Sequence, residues 1–308
     1  MAAEKNIRPL TFADLAGQDK AKRMLNVYIK ASQMKGECLD HVLISGPSGC
    51  GKTTIANIIA NESGQNIKVY SGPAIKKPED MADILMNVEE NDIVFIDEIH
   101  ALPKKVQEQL YFGMEQFVTD VCIDGQATRL SLPHFTCIGA TTDLGGLAEP
   151  CRMRFPIQVA LTPYSEDTMT SLVKDVFRAM GVDCPDDCAA VIGGCTRGVP
   201  RNANSYCRRI YDFALVLNDG RIDASVVEQA FDFMDINKFG LSKSDMNYLR
   251  YLCDAHASVG VDTIATSIGM DKLSVETVIE PYLLQKKLVQ KTPRGRRATE
   301  KAFEILGY

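Results

Sequence analysis

An eight-residue glycine-rich segment, Gly-Pro-Ser-Gly-Cys-Gly-Lys-Thr from Gly46 to Thr53, stands between two very different patterns. The apolar run from His41 to Ser45 precedes it and is typical of a buried strand, while isoleucines at helical spacing follow it. Glycines at this spacing let backbone N–H groups turn inward around an anion, and the positive end of the next helix adds to the attraction. The segment therefore predicts an α/β fold with a parallel sheet and a phosphate-binding loop.

The residue types in the loop indicate which ligand it binds. Lys52 is expected to reach the β- and γ-phosphates of a nucleoside triphosphate, and the Thr53 hydroxyl is expected to ligate Mg²⁺. The residues Gly49, Cys50 and Gly51 are predicted to contact phosphate through the same loop. A glycine-rich turn without a ligand is the alternative, and the order of strand, motif and helix disfavours it.

A second motif lies about 40 residues further along the chain. The apolar run Ile93 to Ile96 ends in adjacent carboxylates, Asp97 and Glu98. Successive side chains of a strand point to opposite faces, so the two acids are expected to project into different parts of one crevice. Asp97 is predicted to bind Mg²⁺, and Glu98 to orient or deprotonate the attacking water.

Two weaker signals accompany these motifs. Thr142 follows the next apolar strand and is a candidate contact of the γ-phosphate or the water, although threonines are common in strands for structural reasons alone. Arg152 and Arg154 are candidates for complementing transition-state charge in a neighbouring subunit, with surface ion pairs as the alternative.

The pattern along the chain predicts three domains: an α/β domain at 1–163, a small helical domain at 164–236 and a winged helix at 237–308. The predicted strands are 41–45, 67–70, 93–96 and 135–140, with a hairpin at 120–132. The predicted helices are 165–180, 186–196, 201–217, 224–234, 243–256, 262–268 and 274–284.

Composition sets outer limits on the function. Hydrophobic residues make up 45% and charged residues 24%, which is typical of a folded globular protein. No apolar run approaches the roughly 20 residues of a membrane helix, and the first residues do not resemble a secretory signal, so we expect a cytoplasmic location. The ten cysteines form no C-x-x-C pair and are expected to be buried free thiols.

Positive charge is concentrated near the C-terminus, although the net charge of the chain is −6. Residues 286–301 contain seven basic side chains and one acidic side chain. This distribution indicates a nucleic-acid contact confined to the last domain. The candidate DNA-binding residues are Lys291, Arg294, Arg296 and Arg297.

Together with the glycine-rich loop, several further motifs carry a resemblance to a known family. They are Phe-Ile-Asp-Glu-Ile-His ending at His100, Gly-Ala-Thr-Thr ending at Thr142, Gly-Val-Pro-Arg ending at Arg201, Glu-Pro-Tyr-Leu-Leu-Gln from Glu280 and Lys-Thr-Pro-Arg-Gly-Arg from Lys291. In this combination, from Ile7 to about Leu306, the chain resembles the RuvB family of AAA+ motors for Holliday-junction branch migration.

The resemblance implies an ATPase domain, a helical lid and a winged-helix head in a hexameric ring that moves duplex DNA during recombination and repair. It implies ATP and Mg²⁺ as cofactors, and the junction-binding protein RuvA and the resolvase RuvC as partners. It also implies that Thr54 contacts phosphate with the loop, that Thr142 is a sensor and that Arg154 is an arginine finger. The nucleotide contacts that it implies beyond the phosphate loop are Ile7, Arg8, Glu115, Gln116, Phe117, Arg154, Tyr164 and Arg201.

The sequence departs from the family pattern in four places. One is the usual glycine-rich turn of the winged helix, which is represented here by Ala-Ser-Val-Gly from Ala257 to Gly260. Asp143 stands where the family usually has arginine, and Pro156 stands where it usually has glycine. The 120–132 segment, which resembles the hairpin that docks the partner, is shorter than usual.

Two other functions are compatible with parts of the sequence. A clamp-loader or initiator-like switch would share every phosphate-site residue and use hydrolysis only for release. A sequence-reading DNA regulator is disfavoured, because the 274–284 segment offers mainly acidic and apolar side chains rather than the Arg, Asn or Gln that read base edges.

Overall fold

The computed structural model describes residues 8–123 and 126–308. They divide into two compact units. The first comprises the described residues up to Thr168 together with Gly198–Arg201, and the second comprises Met169–Arg197 and Asn202–Tyr308. The chain therefore passes between the two units three times.

The first unit is built around a parallel five-stranded sheet in the order β2-β3-β6-β1-β7. Its strands are β1 (Val42–Ser45), β2 (Ile67–Ser71), β3 (Ile93–Asp97), β6 (Thr136–Thr141) and β7 (Ile157–Ala160). An antiparallel hairpin, β4 (Val118–Ile123) and β5 (Gln126–Ser131), lies between β3 and β6 in the sequence. The helices of this unit are α1 (Asp19–Lys35), α2 (Lys52–Ser63), α3 (Pro78–Met86), α4 (Lys104–Gln116) and α5 (Glu149–Arg152).

The three central strands β1, β3 and β6 are buried on both faces, as is typical of a parallel sheet covered by helices. Alternate residues of a strand point to opposite faces, so Val42 and Ile44 join one core cluster with α1 and α2, whereas Leu43 joins the other with α3 and α4. The core is continuous on each face of the sheet, and the strand ends are left to carry polar residues.

The second unit begins with the helices α6 (Glu166–Met180), α7 (Asp186–Cys195), α8 (Pro200–Leu217) and α9 (Ala224–Phe233). Their buried side chains repeat at helical spacing, as Met169, Val173 and Phe177 do in α6. The first three residues of α6 and the first two residues of α8 belong to the first unit by their contacts.

The rest of the second unit is a winged helix around one hydrophobic cluster. Its helices are α10 (Lys243–Ala255), α11 (Val261–Ile268), α12 (Lys272–Ser274), α13 (Glu280–Gln285) and α14 (Glu300–Leu306). Its wing is the antiparallel pair β8 (Val289–Thr292) and β9 (Gly295–Ala298), and the backbone of Val259 extends the pair by bonding to Arg296.

The predicted α/β fold with a parallel sheet, a helical lid and a winged helix is confirmed. The predicted 274–284 segment is helical throughout, but a π-helical turn at Val275–Ile279 separates α12 from α13. Pro281 explains the interruption, since it has no N–H to donate to the carbonyl four residues back. Among the described residues, no helix is long and apolar enough to cross a membrane.

Candidate functional site

The phosphate loop, the acidic pair and Thr142 meet at one edge of the sheet because of the strand order. β6 lies between β1 and β3, with Ser45 opposite Thr141 and Ile96 opposite Gly139. The loop after β1, the acids at the end of β3 and Thr142 after β6 are therefore neighbours at the carboxyl ends of the strands. The grouping that the sequence predicted is present in the structure.

The glycine-rich loop has a backbone that other residues cannot adopt easily. Gly49 has φ +80°, and a Cβ on it would lie 2.7 Å from Val199 Cγ1 and 2.9 Å from Arg201 Cβ. Gly51 caps α2, whose first residue is Lys52, and Cys50 beside it is fully buried. The loop thus places backbone N–H groups and a helix N-terminus around one point, which fits a phosphate group.

Lys52 is held inside the loop. Its Nζ donates to the carbonyls of Gly46 at 2.9 Å and Pro47 at 3.3 Å, and the side chain is almost wholly buried. Burial lowers the pKa of Lys52, while the carboxylates of Glu98 and Asp97 act in the opposite direction. The ammonium group is therefore poised in a partly dry site, where its attraction for phosphate is stronger than in water.

The two acids at the end of β3 have different environments. Asp97 accepts a hydrogen bond from the backbone N–H of Glu98 at 3.0 Å. Glu98 adopts a left-handed backbone conformation with φ +50°, which costs a residue with a side chain about 1–2 kcal/mol. The Glu98 carboxylate meets Thr142, which follows β6.

Thr142 contacts the catalytic candidate directly. Its backbone N–H and its hydroxyl both donate to Glu98 Oε2, at 3.2 and 2.8 Å. His100 Nδ1 lies 3.3 Å from the same oxygen and 3.0 Å from Thr141 Oγ1. His100 was missed as a functional candidate; its position two residues after Glu98 was the available signal.

Asp143 is exposed, and its hydrogen bonds lie within the loop that follows β6. Its side chain accepts a hydrogen bond from the Gly146 N–H at 3.0 Å, and its backbone bonds twice to Thr141. Asp143 therefore shapes the loop that follows β6.

The predicted nucleotide contacts outside the loop fall into two groups. Tyr164 and Arg201 lie against the loop, since the Tyr164 hydroxyl donates to the Cys50 carbonyl at 3.4 Å and Arg201 Nη1 donates to Ser48 Oγ at 3.0 Å. Tyr164 also lines a cavity of about 520 Å³ beside the start of α1. Arg8 is exposed, and Ile7 lies outside the described residues.

Arg154 and the end of α4 form the second group. Arg154 Nη2 donates to Glu115 Oε2 at 3.2 Å, Nη1 donates to the Pro150 carbonyl at 2.9 Å, and the guanidinium lies 5.3 Å from the centre of the Tyr111 ring. Gln116 is exposed. The Phe117 ring packs on His134, with ring centres 4.1 Å apart. Two predicted site residues, Arg154 and Glu115, are thus joined within one chain.

The basic residues of the wing also separate into two pairs. Arg294 and Arg297 are exposed. Lys291 and Arg296 lie opposite each other in the β8–β9 pair, and both reach Glu280.

Glu280 is fully buried and accepts from four donors. These are Arg296 Nε at 2.7 Å, Arg296 Nη2 at 3.2 Å, Lys291 Nζ at 3.1 Å and the Tyr248 hydroxyl at 3.1 Å. Arg296 also pairs with Glu276 at 2.8 Å and is only 15% exposed. The sequence predicted Arg296 only as a DNA contact. Its ion pairs with Glu280 and Glu276 show that it also stabilises the winged helix. The available signal was Glu280 itself, an acidic residue among the apolar side chains of α13.

Replacing Glu280 by Gln is expected to lower the free energy of unfolding of the winged helix by about 3 kcal/mol, since it leaves the partly buried Arg296 with less counter-charge. Burial raises the pKa of Glu280, but Arg296 and Lys291 outweigh it and hold the pKa below its usual range. The stabilisation is therefore complete above the unfolded-state pKa of about 4.3 and is lost as pH falls through the lower folded-state pKa. Denaturant unfolding at several pH values measures both effects.

The exposed Glu304→Gln is the matched control for this substitution. It should unfold like the wild type at every pH. A Glu280→Gln protein as stable as the wild type at neutral pH would contradict the structural part assigned to Glu280.

The fold and the site define a P-loop ATPase domain of the AAA+ class with a helical lid and a winged helix. Family models match over nearly the whole chain: the Holliday junction DNA helicase RuvB P-loop domain at residues 7–161, the RuvB AAA lid domain at 164–237 and the RuvB C-terminal winged helix domain at 238–307. The chain belongs to the RuvB family.

Individual relatives agree with the family models. The Holliday junction branch migration complex subunit RuvB of Lactococcus lactis subsp. lactis is 43% identical, covering 99% of this chain and 93% of the relative. Its namesake in Flavobacterium psychrophilum is 40% identical, covering 99% and 91%. The structure of the Thermotoga maritima RuvB Holliday junction branch migration motor is 38% identical with a TM-score of 0.87, covering 98% of each chain.

Proposed function

We propose that this chain is an ATP-driven motor for branch migration of Holliday junctions in homologous recombination and DNA repair. The observation that carries the proposal is the meeting of Lys52, Glu98 and Thr142 at one edge of the sheet, in a chain whose relatives are named for branch migration.

In the proposed reaction, Lys52 binds the β- and γ-phosphates of ATP, and Glu98 takes a proton from the attacking water. Thr142 holds the Glu98 carboxylate in position through the two hydrogen bonds already described. Thr53 and Asp97 offer the hydroxyl and carboxylate oxygens that Mg²⁺ prefers, and the ion would neutralise phosphate charge when bound.

We further propose that subunits form a ring in which Arg154 of one subunit reaches the nucleotide bound by its neighbour. In a single chain Arg154 bonds to Glu115, so its guanidinium is oriented before it meets a neighbour's nucleotide. Hexameric assembly, and docking of RuvA and RuvC as partners, belong to the same proposal. The β4–β5 hairpin is the proposed docking element for RuvA.

The test is branch migration of a labelled synthetic four-way junction with ATP and Mg²⁺, with and without the host's junction-binding protein. A motor should convert the junction to its products, and ATP withheld from the reaction should abolish conversion. A clamp-loader-like switch would bind and release the junction with ATP without moving the branch point, and that result would contradict the motor.

The wing is proposed to grip DNA phosphates, principally through the exposed Arg294 and Arg297. Neutralising both to Gln should reduce the slope of log affinity against log salt by up to about 1.8, because each phosphate contact contributes about 0.9. Filter binding or fluorescence anisotropy at several salt concentrations measures this slope.

Lys272→Gln is the control, because Lys272 is an exposed lysine of the same unit that pairs with Asp262. Its slope should equal that of the wild type. An unchanged slope in the double arginine variant would assign the DNA contact to another surface.

A further inference from the structure

Arg197 occupies an unusual place in the second unit. It stands between α7 and α8, and its backbone is left-handed with φ +61°. The side chain is only 18% exposed and reaches into the region matched by the winged-helix model. Its own position falls in the region matched by the lid model.

Three groups of the winged-helix region surround the Arg197 guanidinium. Its Nε donates to the Gly240 carbonyl at 3.1 Å, its Nη2 donates to the Asp245 carboxylate, and its centre lies 4.7 Å from the centre of the Tyr282 ring. Tyr282 in turn donates from its hydroxyl to the Phe239 carbonyl at 3.0 Å. Arginine suits such a site because its planar group can donate in two directions and also stack on an aromatic ring.

The Asp245 end of this contact is rigid. Asp245 is fully buried, and the oxygen that meets Arg197 also accepts from the backbone N–H of Ser242 at 2.7 Å and from its hydroxyl at 2.6 Å. The first of these bonds, together with the bond from the Asp245 N–H to Ser242 Oγ at 3.3 Å, forms the capping box of α10, so a movement of the carboxylate disturbs the start of that helix.

The four residues that follow Arg197 belong to the other unit. Gly198 accepts a hydrogen bond from the Tyr164 N–H at 2.8 Å, and a Cβ on Gly198 would lie 2.6 Å from the Tyr164 carbonyl. Arg201 donates to Ser48 in the phosphate loop. The peptide bond after Arg197 therefore joins a residue anchored to the winged helix to a segment anchored at the nucleotide site.

We propose that Arg197 is a positioning residue that couples the nucleotide-contacting segment Gly198–Arg201 to the winged helix. Arg197 directly precedes this segment and is bonded to Asp245 of α10. A displacement of Arg201 would therefore move α10 and the winged helix with it, instead of changing only the connection between the lid and the winged helix. The proposal deepens the proposed motor function and rests on it. It requires no contact of Arg197 with nucleotide or DNA.

The test compares Arg197→Gln and Asp245→Asn with the wild type. Asp245→Asn removes the charge that pairs with Arg197 but keeps an oxygen that can accept from the Ser242 N–H at the start of α10. This variant therefore tests the coupling if Arg197→Gln fails to fold. Arg209→Gln is the control, because Arg209 forms an exposed ion pair with Asp212 on α8 of the same unit. ATP turnover, junction affinity and branch migration per ATP hydrolysed are measured on the full chain.

Coupling predicts that turnover and junction affinity stay within about twofold of the wild type, while migration per ATP falls by about 2- to 30-fold. The Arg209→Gln ratio should not change. An unchanged ratio in Arg197→Gln and Asp245→Asn would overturn the proposal, as would a parallel loss of turnover, affinity and thermal stability, which a purely structural role would produce.

A second measurement separates this inference from the motor function. ATP should alter the hydrogen exchange of α10 in the wild type and leave it unaltered in Arg197→Gln or Asp245→Asn. A wild-type chain that hydrolyses ATP without moving junctions would contradict the motor alone, and the exchange result would then decide the coupling. ATP-dependent exchange that persists in both variants would overturn the coupling alone.

Discussion

Replacing Glu98 by Gln is expected to lower ATP turnover by about 10²- to 10⁴-fold while nucleotide stays bound, because general-base catalysis contributes a factor of that size. Gln keeps the shape of the side chain and can still accept from Thr142, so the site should remain assembled. The loss should therefore fall on kcat, with Kd for ATP little changed. Steady-state phosphate release and nucleotide binding on the same preparation measure the two quantities.

Glu37→Gln is the matched control, since Glu37 is exposed just after the end of α1. Its turnover should equal that of the wild type. Turnover that survives in Glu98→Gln would move the catalytic base elsewhere, with Asp97 as the next carboxylate to test. Branch migration should stop with turnover, because the proposed motor has no other source of energy.

Replacing Lys52 by Ala is expected to weaken binding of ATP itself, by about 2–5 kcal/mol, because a charge-assisted contact to phosphate is lost from a partly dry site. That range corresponds to more than a tenfold rise in Kd. The two substitutions therefore separate binding from chemistry: one spares Kd and the other does not. Fluorescent nucleotide titration or calorimetry measures the change.

Lys35→Ala, at the exposed end of α1, is the control for Lys52→Ala. A folded Lys52→Ala protein with wild-type affinity would contradict the assignment of the loop. Circular dichroism establishes folding, which is needed because Lys52 also bonds to two carbonyls of its own loop.

The sheet and its loop were predictable because local signals and topology agree there. A fully buried parallel strand such as β3 reads as a continuous apolar run, and the loop after β1 has a spacing with a physical cause. β7 was not predicted, because Ile157–Ala160 alternates between buried and exposed residues at the sheet edge and is only four residues long. Its pairing with β1 is a long-range contact that no local sequence pattern indicates.

The site was predictable in its membership but not in its hydrogen bonds. The two carboxylates and Thr142 were recognisable because each follows or ends an apolar strand. The left-handed backbone of Glu98 could not be predicted, since glycine is the residue usually expected in that conformation. Buried ion pairs are also hidden in the sequence. Nothing local pairs Arg197 with Asp245, 48 residues apart, or Arg296 with Glu280.

The chain passes between its two units three times, and this affects which parts of it can be exchanged between relatives. A fragment that ends at Thr168 would keep the sheet and the phosphate loop but lose Arg201, whose contact with Ser48 comes from a segment returned much later in the chain. A chimera that exchanges only the residues up to Thr168 therefore combines the phosphate loop of one parent with the Gly198–Arg201 segment of the other. The contact between Ser48 and Arg201 then depends on the compatibility of the two parents.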